Sequence, residues 1–191
     1  AIFPVRMAGI PINIRNTNAP EEIGTMITHG AVEEPNPYVI TGIAGRLGFS
    51  VISVEKAMMN GEVGFGRKVL QAVEEFGLSF EHMPTGIDTM CVVLSTAELE
   101  PVKEQLTRRI WETTNPDTLT IHDNMGIIAT VGRGMVHNPG TAARLFTALS
   151  RYHINVRMID QGSSELSILV GVDSGEFQQA ILAIYDEFVS E

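Results

Sequence analysis

Apolar and polar positions alternate along the chain with two different periods, and these periods predict a succession of strands and helices. Short runs of β-branched and other apolar residues, bounded by glycine or polar residues, predict strands. Longer stretches in which apolar side chains return every three or four positions predict amphipathic helices. The predicted strands are 38–44, 50–55, 79–83, 90–94, 118–122, 127–131, 155–160 and 166–170, and the predicted helices are 66–76, 97–113, 141–152 and 176–189.

The same order of elements occurs twice in the chain. Residues 50–95 align with residues 126–171 without a gap when they are shifted by 76 positions (135 − 59 for the paired methionines). Apolar positions coincide throughout the aligned elements, which indicates two copies of one structural unit. Identical pairs include Met59 with Met135, Gly64 with Gly140, Ala72 with Ala148, and Gly86 with Gly162.

Each copy has the order βαββα and needs one more strand to form a ferredoxin-like βαββαβ unit. Strand 118–122 completes the first copy, whereas the second copy has no strand after its last helix. Strand 38–44 is left over before the first copy, so we predict that it completes the second. The predicted fold is α+β, with two ferredoxin-like modules and the first inserted into the second. A simple tandem is the alternative, because elements that follow each other in sequence usually pack together.

The predicted boundaries are residues 46–124 for module 1 and residues 38–45 plus 125–191 for module 2. Residues 1–37 match neither copy, and they contain a predicted strand at 9–16 and a loop or linker at 18–37.

Composition restricts the possible functions. The chain is 44% hydrophobic and 19% charged, as expected for a globular protein. Its formal net charge of −10 argues against nucleic acid and anionic membranes as partners. Cys91 is the only cysteine, so no internal disulfide can form, and no apolar stretch is long enough to span a bilayer. We therefore expect a cytoplasmic protein, and the first residue, Ala1, favours a piece of a longer one.

The sequence offers little for catalysis. Glycines recur between Gly42 and Gly48, but neither the Lys-Ser/Thr ending of a phosphate-binding loop nor a full dinucleotide fingerprint is present. The five histidines show no metal-ligand spacing. We therefore expect no catalytic residue, metal or cofactor in this chain.

Essentially the whole chain resembles the aspartate kinase family, and three segments carry the resemblance. Residues 2–18, IFPVRMAGIPINIRNTN, resemble the segment that ends the catalytic part of monofunctional aspartate kinases. The repeated modules, with Gly64-Phe65 in the first and residues 161–165 (QGSSE) in the second, resemble its regulatory region of paired ACT domains. The resemblance implies that residues 1–37 are the end of the kinase segment and a linker. It also implies that the full-length enzyme phosphorylates aspartate with ATP and magnesium, is inhibited by lysine, threonine or both, and dimerises through its ACT modules.

We expect an amino-acid effector where the loop of module 1 meets its first helix. Free amide groups at a helix start bind carboxylates, and glycines let a ligand approach the main chain. Surface charges and core packing are the alternative explanations for these side chains. Some relatives carry Asp at the position of Glu81, and Glu one residue before Asp88. The effector residues that the resemblance implies are Met59, Glu62, Val63, Gly64, Phe65, Gly66, Phe80, Glu81, Thr85, Gly86, Ile87 and Asp88.

The corresponding loop and turn of module 2 form a possible second effector site, with threonine as the candidate. This turn carries fewer carboxylates, so a role in dimerisation and support is the main expectation for module 2. A module pair that only dimerises and a stand-alone regulatory subunit are the alternative functions. The residues of the possible second site are His137, Asn138, Pro139, Gly140, Thr141, Ser163 and Ser164.

Overall fold

The computed structural model describes residues 2–28 and 38–189, and the chain divides into two compact units, Ala1–Pro37 and Tyr38–Glu191. In the first unit, helix α1 (Ile2–Met7) precedes the antiparallel strands β1 (Ile12–Ile14) and β2 (Thr25–Ile27). The strand predicted at 9–16 is therefore shorter, and the predicted loop contains a strand that pairs with it. The rest of that loop, residues 29–37, lies outside the described residues.

The second unit is one antiparallel sheet with helices. Helical turns of the 3-10 type cover Met59–Gly61, Glu100–Val102 and Arg133–His137. Within residues 2–28 and 38–189, no helix has the length and apolarity that crossing a membrane requires. The elements are β3 (Gly42–Glu55), α2 (Phe65–Glu75), β4 (Phe80–His82), β5 (Thr89–Ser95), α3 (Thr96–Leu99), α4 (Lys103–Thr114), β6 (Thr118–Val131), α5 (Thr141–Arg151), β7 (Met158–Asp160), β8 (Ser167–Asp173) and α6 (Phe177–Val189). The order of the strands in the sheet is β4-β5-β3-β6-β8-β7.

Two long strands, β3 and β6, run through both modules. The first half of β3, residues 42–47, pairs with residues 126–131 of β6. The same part of β6 also pairs with β8, which pairs with β7, and these strands together form the sheet of module 2. The second half of β3 pairs with β5 and with the first half of β6, which forms the sheet of module 1. The last strand of module 2 therefore precedes module 1 in the chain. The fold is the predicted α+β pair of βαββαβ modules, with the first inserted into the second.

Several predicted boundaries were wrong. Strands 38–44 and 50–55 are one strand that begins at Gly42, and strands 118–122 and 127–131 are also one, because pairing continues through residues 45–47 and 49 of β3 and through residues 125 and 126 of β6. Residues 39 and 40 are not part of the sheet, although Ile40 is buried in the core of module 2. Helix 97–113 is broken into two by a 3-10 turn that contains Pro101, which lacks a backbone N–H. Strand 155–160 begins only at Met158.

The sheet curls until its two outer strands meet. His82 on β4 and Asp160 on β7 belong to opposite ends of the strand order, yet His82 Nδ1 lies 3.4 Å from Asp160 Oδ2. The helices of each module pack against one side of the sheet, on separate cores. The opposite side of the sheet encloses a third core, which we call the inter-module core. It consists of Phe49, Val51, Val93, Met125, Ile127 and Met158, with Cys91 and Leu169 packed against it.

Irregular residues mark the point where the long strands pass from one module to the other. Gly48 has φ +90° in β3, and Asn124 has φ +60° in β6. The pairing register shifts on both sides of Phe49. Such a bulge reverses which side of the sheet the following residues face. As a result, Arg46 and Phe49 lie on the same side although their sequence separation is odd, and the Arg46 guanidinium stacks 4.8 Å from the centre of the Phe49 ring.

Candidate functional site

The predicted loop and turn of module 1 are in direct contact. The amide of Lys56 donates to the carbonyl of Asp88 at 2.9 Å, and the amide of Asn60 donates to the carbonyl of Ile87 at 3.1 Å. The amide of Met58, which has φ +59°, donates to Asp88 Oδ1 at 2.7 Å. Three hydrogen bonds therefore hold the loop against the turn, and Asp88 takes part in two of them.

The start of helix α2 lies at the end of this loop. Gly64 precedes the helix with φ +82°, a conformation that side chains other than glycine adopt rarely. The amide of Phe65 donates to the carbonyl of Glu62 at 3.2 Å, so it is already in use. The next amides, of Gly66 and Arg67, lack a carbonyl partner within the helix. A Cβ on Gly66 would meet Met90 Cε at 3.6 Å, which is ordinary contact.

The apolar residues of the predicted site divide into two groups. Met59 and Phe65 are 4% and 3% exposed and belong to the core of module 1. Core packing, the alternative explanation for these side chains, therefore applies to both. Val63, Phe80 and Ile87 are 98%, 45% and 69% exposed. Only this second group is accessible to a ligand.

The remaining turn residues serve the shape of the turn. The Thr85 hydroxyl donates to the carbonyl of Met83 at 3.2 Å. The Gly86 amide donates to the carbonyl of Thr89 at 2.7 Å. These bonds leave the turn closed on itself and facing the loop.

Each of the three acidic residues already has a partner within the protein. Glu62 accepts from Lys56 Nζ at 2.6 Å and from Lys68 Nζ at 2.7 Å, and these hydrogen bonds hold the pKa of its carboxyl below the usual value. Asp88 accepts the amide described above. Arg46 Nη1 lies 3.2 Å from Glu81 Oε1. A cationic ligand would therefore have to share or displace these partners.

Sequence reasoning missed the basic residues that surround the acids. Lys56 Nζ also donates to the carbonyl of Thr114 at 2.8 Å and lies 5.7 Å from the centre of the Phe65 ring. Lys56 and Lys68 are within six positions of Glu62, so their role could have been inferred from spacing. Arg46 lies 35 positions before Glu81, so nothing in the local sequence pointed to it. The predicted boundary placed Arg46 in module 1, but it pairs with Ile127 in the sheet of module 2.

Module 2 has an open cavity at the equivalent place. About 590 Å³ of space separates the loop before α5 from the turn between β7 and β8. Of the residues predicted for the second effector site, four from the loop and one from the turn line this cavity. Its lining consists of Met135, Val136, Asn138, Pro139, Gly140, Thr141, Ala142, Gln161, Gly162, Ser163 and Glu165.

Polar groups at the start of α5 fix the shape of this cavity. Asn138 Nδ2 donates to the carbonyl of Gly134 at 2.7 Å, and the Thr141 hydroxyl donates to the carbonyl of Asn138 at 2.7 Å. Gly140, with φ +92°, precedes the helix as Gly64 does in module 1. Ser164 is not among the lining residues, and the side chain of His137 lies outside the described part of the chain.

Other reactive groups do not form a centre. Among residues 2–28 and 38–189, no three His, Cys, Asp or Glu side chains converge in a way that could hold a metal ion. Cys91 packs against the inter-module core, where burial raises the pKa of its thiol, and its Sγ lies 3.8 Å from the Ser53 hydroxyl.

Comparisons with known proteins support one family. The ACT domain family matches residues 128–188. Aspartokinase 3 of Bacillus subtilis is 41% identical over 189 residues, which cover 98% of this chain and 41% of that protein. The aspartate kinase of Clostridium acetobutylicum is 47% identical, with a TM-score of 0.92 over all of this chain and 44% of that structure. The chain thus spans less than half the length of these relatives.

Two more distant structures share the fold alone. The regulatory subunit of aspartate kinase from Thermus thermophilus, without ligand, is 22% identical with a TM-score of 0.66, over 78% of this chain and 98% of that one. Aspartokinase III of E. coli in complex with lysine and aspartate is 17% identical with a TM-score of 0.75, over 98% of this chain and 41% of that one.

Proposed function

This chain belongs to the family of ACT-domain regions found in aspartokinases, and on that premise we propose that it senses amino acids for a longer kinase. The longer protein would phosphorylate aspartate with ATP and magnesium, in the biosynthesis of lysine, threonine and methionine, in the cytoplasm. Binding of an effector to this region would inhibit that activity. The observation that carries the proposal is the 41% identity to an aspartokinase, which extends through both modules.

We propose lysine as the effector of module 1. The complex of E. coli aspartokinase III with lysine supports this choice, as does the acidity of the site. The carboxylate of lysine would bind the amides at the start of α2, beside Gly64 and Gly66, because a helix start attracts anions. Its two ammonium groups would bind Glu81 and Asp88. Glu62 takes no part, since Lys56 and Lys68 already neutralise it.

A neutral amino acid such as threonine is the second candidate effector, and the cavity of module 2 supports it. Its lining offers hydroxyl and amide groups from Asn138, Thr141, Gln161 and Ser163. Glu165 is the one carboxylate among the described residues of the lining, enough for a single ammonium group. A second cationic group would find no partner there.

We also propose that the chain forms a homodimer through its modules. Among the residues that the structure describes, 118–122 of β6 and 42–47 of β3 have a strand partner on one side only, and such open edges favour pairing with another chain. A groove of about 720 Å³ lies beside the first of these edges, and Trp111, which is 46% exposed, lines it. Sedimentation at micromolar concentration should give twice the 20.8 kDa of one chain; a monomer with and without lysine would contradict this.

Calorimetric titration with the amino acids of the aspartate pathway tests the sensing function. Loss of one charge-assisted hydrogen bond should weaken binding about 10-fold or more. Glu81→Gln should therefore weaken lysine binding and spare threonine, whereas Glu165→Gln should do the reverse. A chain that binds none of these amino acids would instead favour the alternative, a pair of modules that only dimerises.

A further inference from the structure

Arg46 connects the two modules at the proposed lysine site. It belongs to the half of β3 that completes module 2, whereas its partner, Glu81, lies on β4 of module 1. Their side chains are 62% and 41% exposed, so water and salt screen the pair. A contact of this kind is weak enough for a dissolved cation to replace.

The position of Arg46 depends on the inter-module core. Its guanidinium stacks on Phe49, which is 3% exposed and belongs to that core. The bulge at Gly48 is what places the two side chains on the same side of the sheet. Arg46 therefore reaches Glu81 only while the modules stay packed against each other.

Glu81 differs in this respect from the other two acids of the site. The partners of Glu62 and Asp88 are Lys56, Lys68 and the Met58 amide, all of which belong to module 1. The partner of Glu81 alone comes from module 2. The neighbouring residue, His82, contacts Asp160 on β7 and so joins the two outer strands of the sheet.

We propose that Arg46 and a cationic effector compete for Glu81, so that effector binding to module 1 breaks an ion pair that connects the two modules. This inference rests on the proposed function, because it takes lysine as the cation that reaches Glu81. Packing of the modules through the Arg46–Glu81 pair and binding of the effector then disfavour each other. The bound state differs from the free state in the packing of module 1 against module 2, since a ligand favours the state that it binds more tightly.

Lysine titration of Arg46→Gln by calorimetry tests the competition. Arg157 is the matched control, because its Nη1 lies 2.7 Å from Asp173 Oδ1 within module 2. Removing a competitor of this strength should tighten lysine binding about two- to fivefold, and Arg157→Gln should leave it unchanged. Unchanged or weaker binding to Arg46→Gln, with normal binding to the wild type, would overturn the inference and leave the proposed function intact.

Hydrogen exchange without ligand tests whether the Arg46–Glu81 pair stabilises strand β4. Arg46→Gln and Glu81→Gln should each speed amide exchange in strand β4, and the double variant should add nothing further, because both changes remove the same pair. Saturating lysine should speed the same amides in the wild type but not in Arg46→Gln. Additive effects of the two single variants, or no effect of either, would show that the Arg46–Glu81 pair does not connect the modules in solution. A wild type that binds no lysine would overturn both the proposed function and the competition.

Discussion

Module 1 and module 2 share one chain path but differ in charge where the loop meets the turn. At the offset of 76 positions, Glu62 corresponds to Asn138, Glu81 to Arg157, and Asp88 to Ser164. All three acids of module 1 are therefore replaced by an amide, a guanidinium and a hydroxyl. The fold leaves these positions free to vary, because none of them belongs to a hydrophobic core.

The modules also differ in the hydrogen bonds between loop and turn. In module 1, hydrogen bonds from the loop to Asp88 and Ile87 join the two segments. In module 2, the equivalent segments border an open cavity. Duplication of the fold thus preserves the backbone frame, while side chains decide the charge and the hydrogen bonds between loop and turn. Changes confined to one module test whether the modules depend on each other.

Deletion of residues 1–47 should have the largest effect. It removes the strand that pairs with residues 126–131, and it uncovers Ile128 in the core of module 2. We expect loss of the cooperative thermal transition, because the module cannot close its core without its last strand. The measurement is calorimetric unfolding together with near-UV circular dichroism.

Deletion of residues 1–37 is the matched control, since it removes only the first compact unit. That shorter deletion should keep a cooperative transition. An unchanged transition after the deletion of 1–47 would mean that the two modules fold independently, against the insertion.

Gly132→Ala should destabilise module 2 by about 1–3 kcal/mol, the usual cost of overfilling a packed region. A Cβ at this position would lie 2.5 Å from the carbonyl oxygen of Val39 and 2.6 Å from Ile40 Cα, so backbone would have to move. The corresponding residue of module 1 is Lys56, which has room for a long side chain.

Gly42→Ala is the control for this change, because a Cβ there would meet only Val131 Cγ2, at 3.8 Å. Denaturant unfolding of both variants gives the comparison. Equal stability of the two variants would show that residues 39 and 40 do not press on Gly132.

The repeat allowed much of this arrangement to be predicted from sequence. Residues such as Gly64 and Gly140, with apolar positions around them, fall at one offset and have the same backbone role in both modules. The strand left over at 38–44 also predicted the insertion. These features follow from local periodicity and from counting elements, so they need no knowledge of long-range packing.

The contacts between modules could not be predicted in the same way. The Arg46–Glu81 pair depends on the bulge at Gly48 and on the curl of the sheet, both of which arise from the packing of distant strands. The role of Asp88 could also be predicted only in part from the sequence. Its sequence position predicted a ligand for an ammonium group, whereas the structure shows that it already accepts the Met58 amide.

Asp88→Ala should therefore lower the stability of the ligand-free chain by about 1 kcal/mol, the worth of one hydrogen bond that ties the loop to the turn. An exposed carboxylate without such a bond would contribute little. Thermal unfolding without amino acids measures the effect. Ser164→Ala, at the corresponding position of module 2, should change the transition less; equal shifts in both variants would contradict a special role for Asp88.

Glu62→Gln should produce the smallest effect, visible only in the pH dependence of stability. Lys56 and Lys68 lower the pKa of the Glu62 carboxyl in the folded chain below its ordinary value of 4.5. A lowered folded-state pKa stabilises the protein above the unfolded-state pKa, and this contribution disappears as the pH falls through the folded-state pKa. The wild type should therefore lose stability more steeply than Glu62→Gln as the pH drops below about 4.5.

Asn138, which takes the place of Glu62 in module 2, provides the control because it carries no titrating group. Asn138→Ala removes the hydrogen bond to the carbonyl of Gly134, so it should lower stability by a similar amount at every pH in this range. Urea unfolding at a series of acidic pH values separates the two behaviours. Parallel curves for the wild type and Glu62→Gln would mean that the two lysines do not hold a charged Glu62 in solution, and the difference in charge between the modules would then have to rest on Glu81 and Asp88 alone.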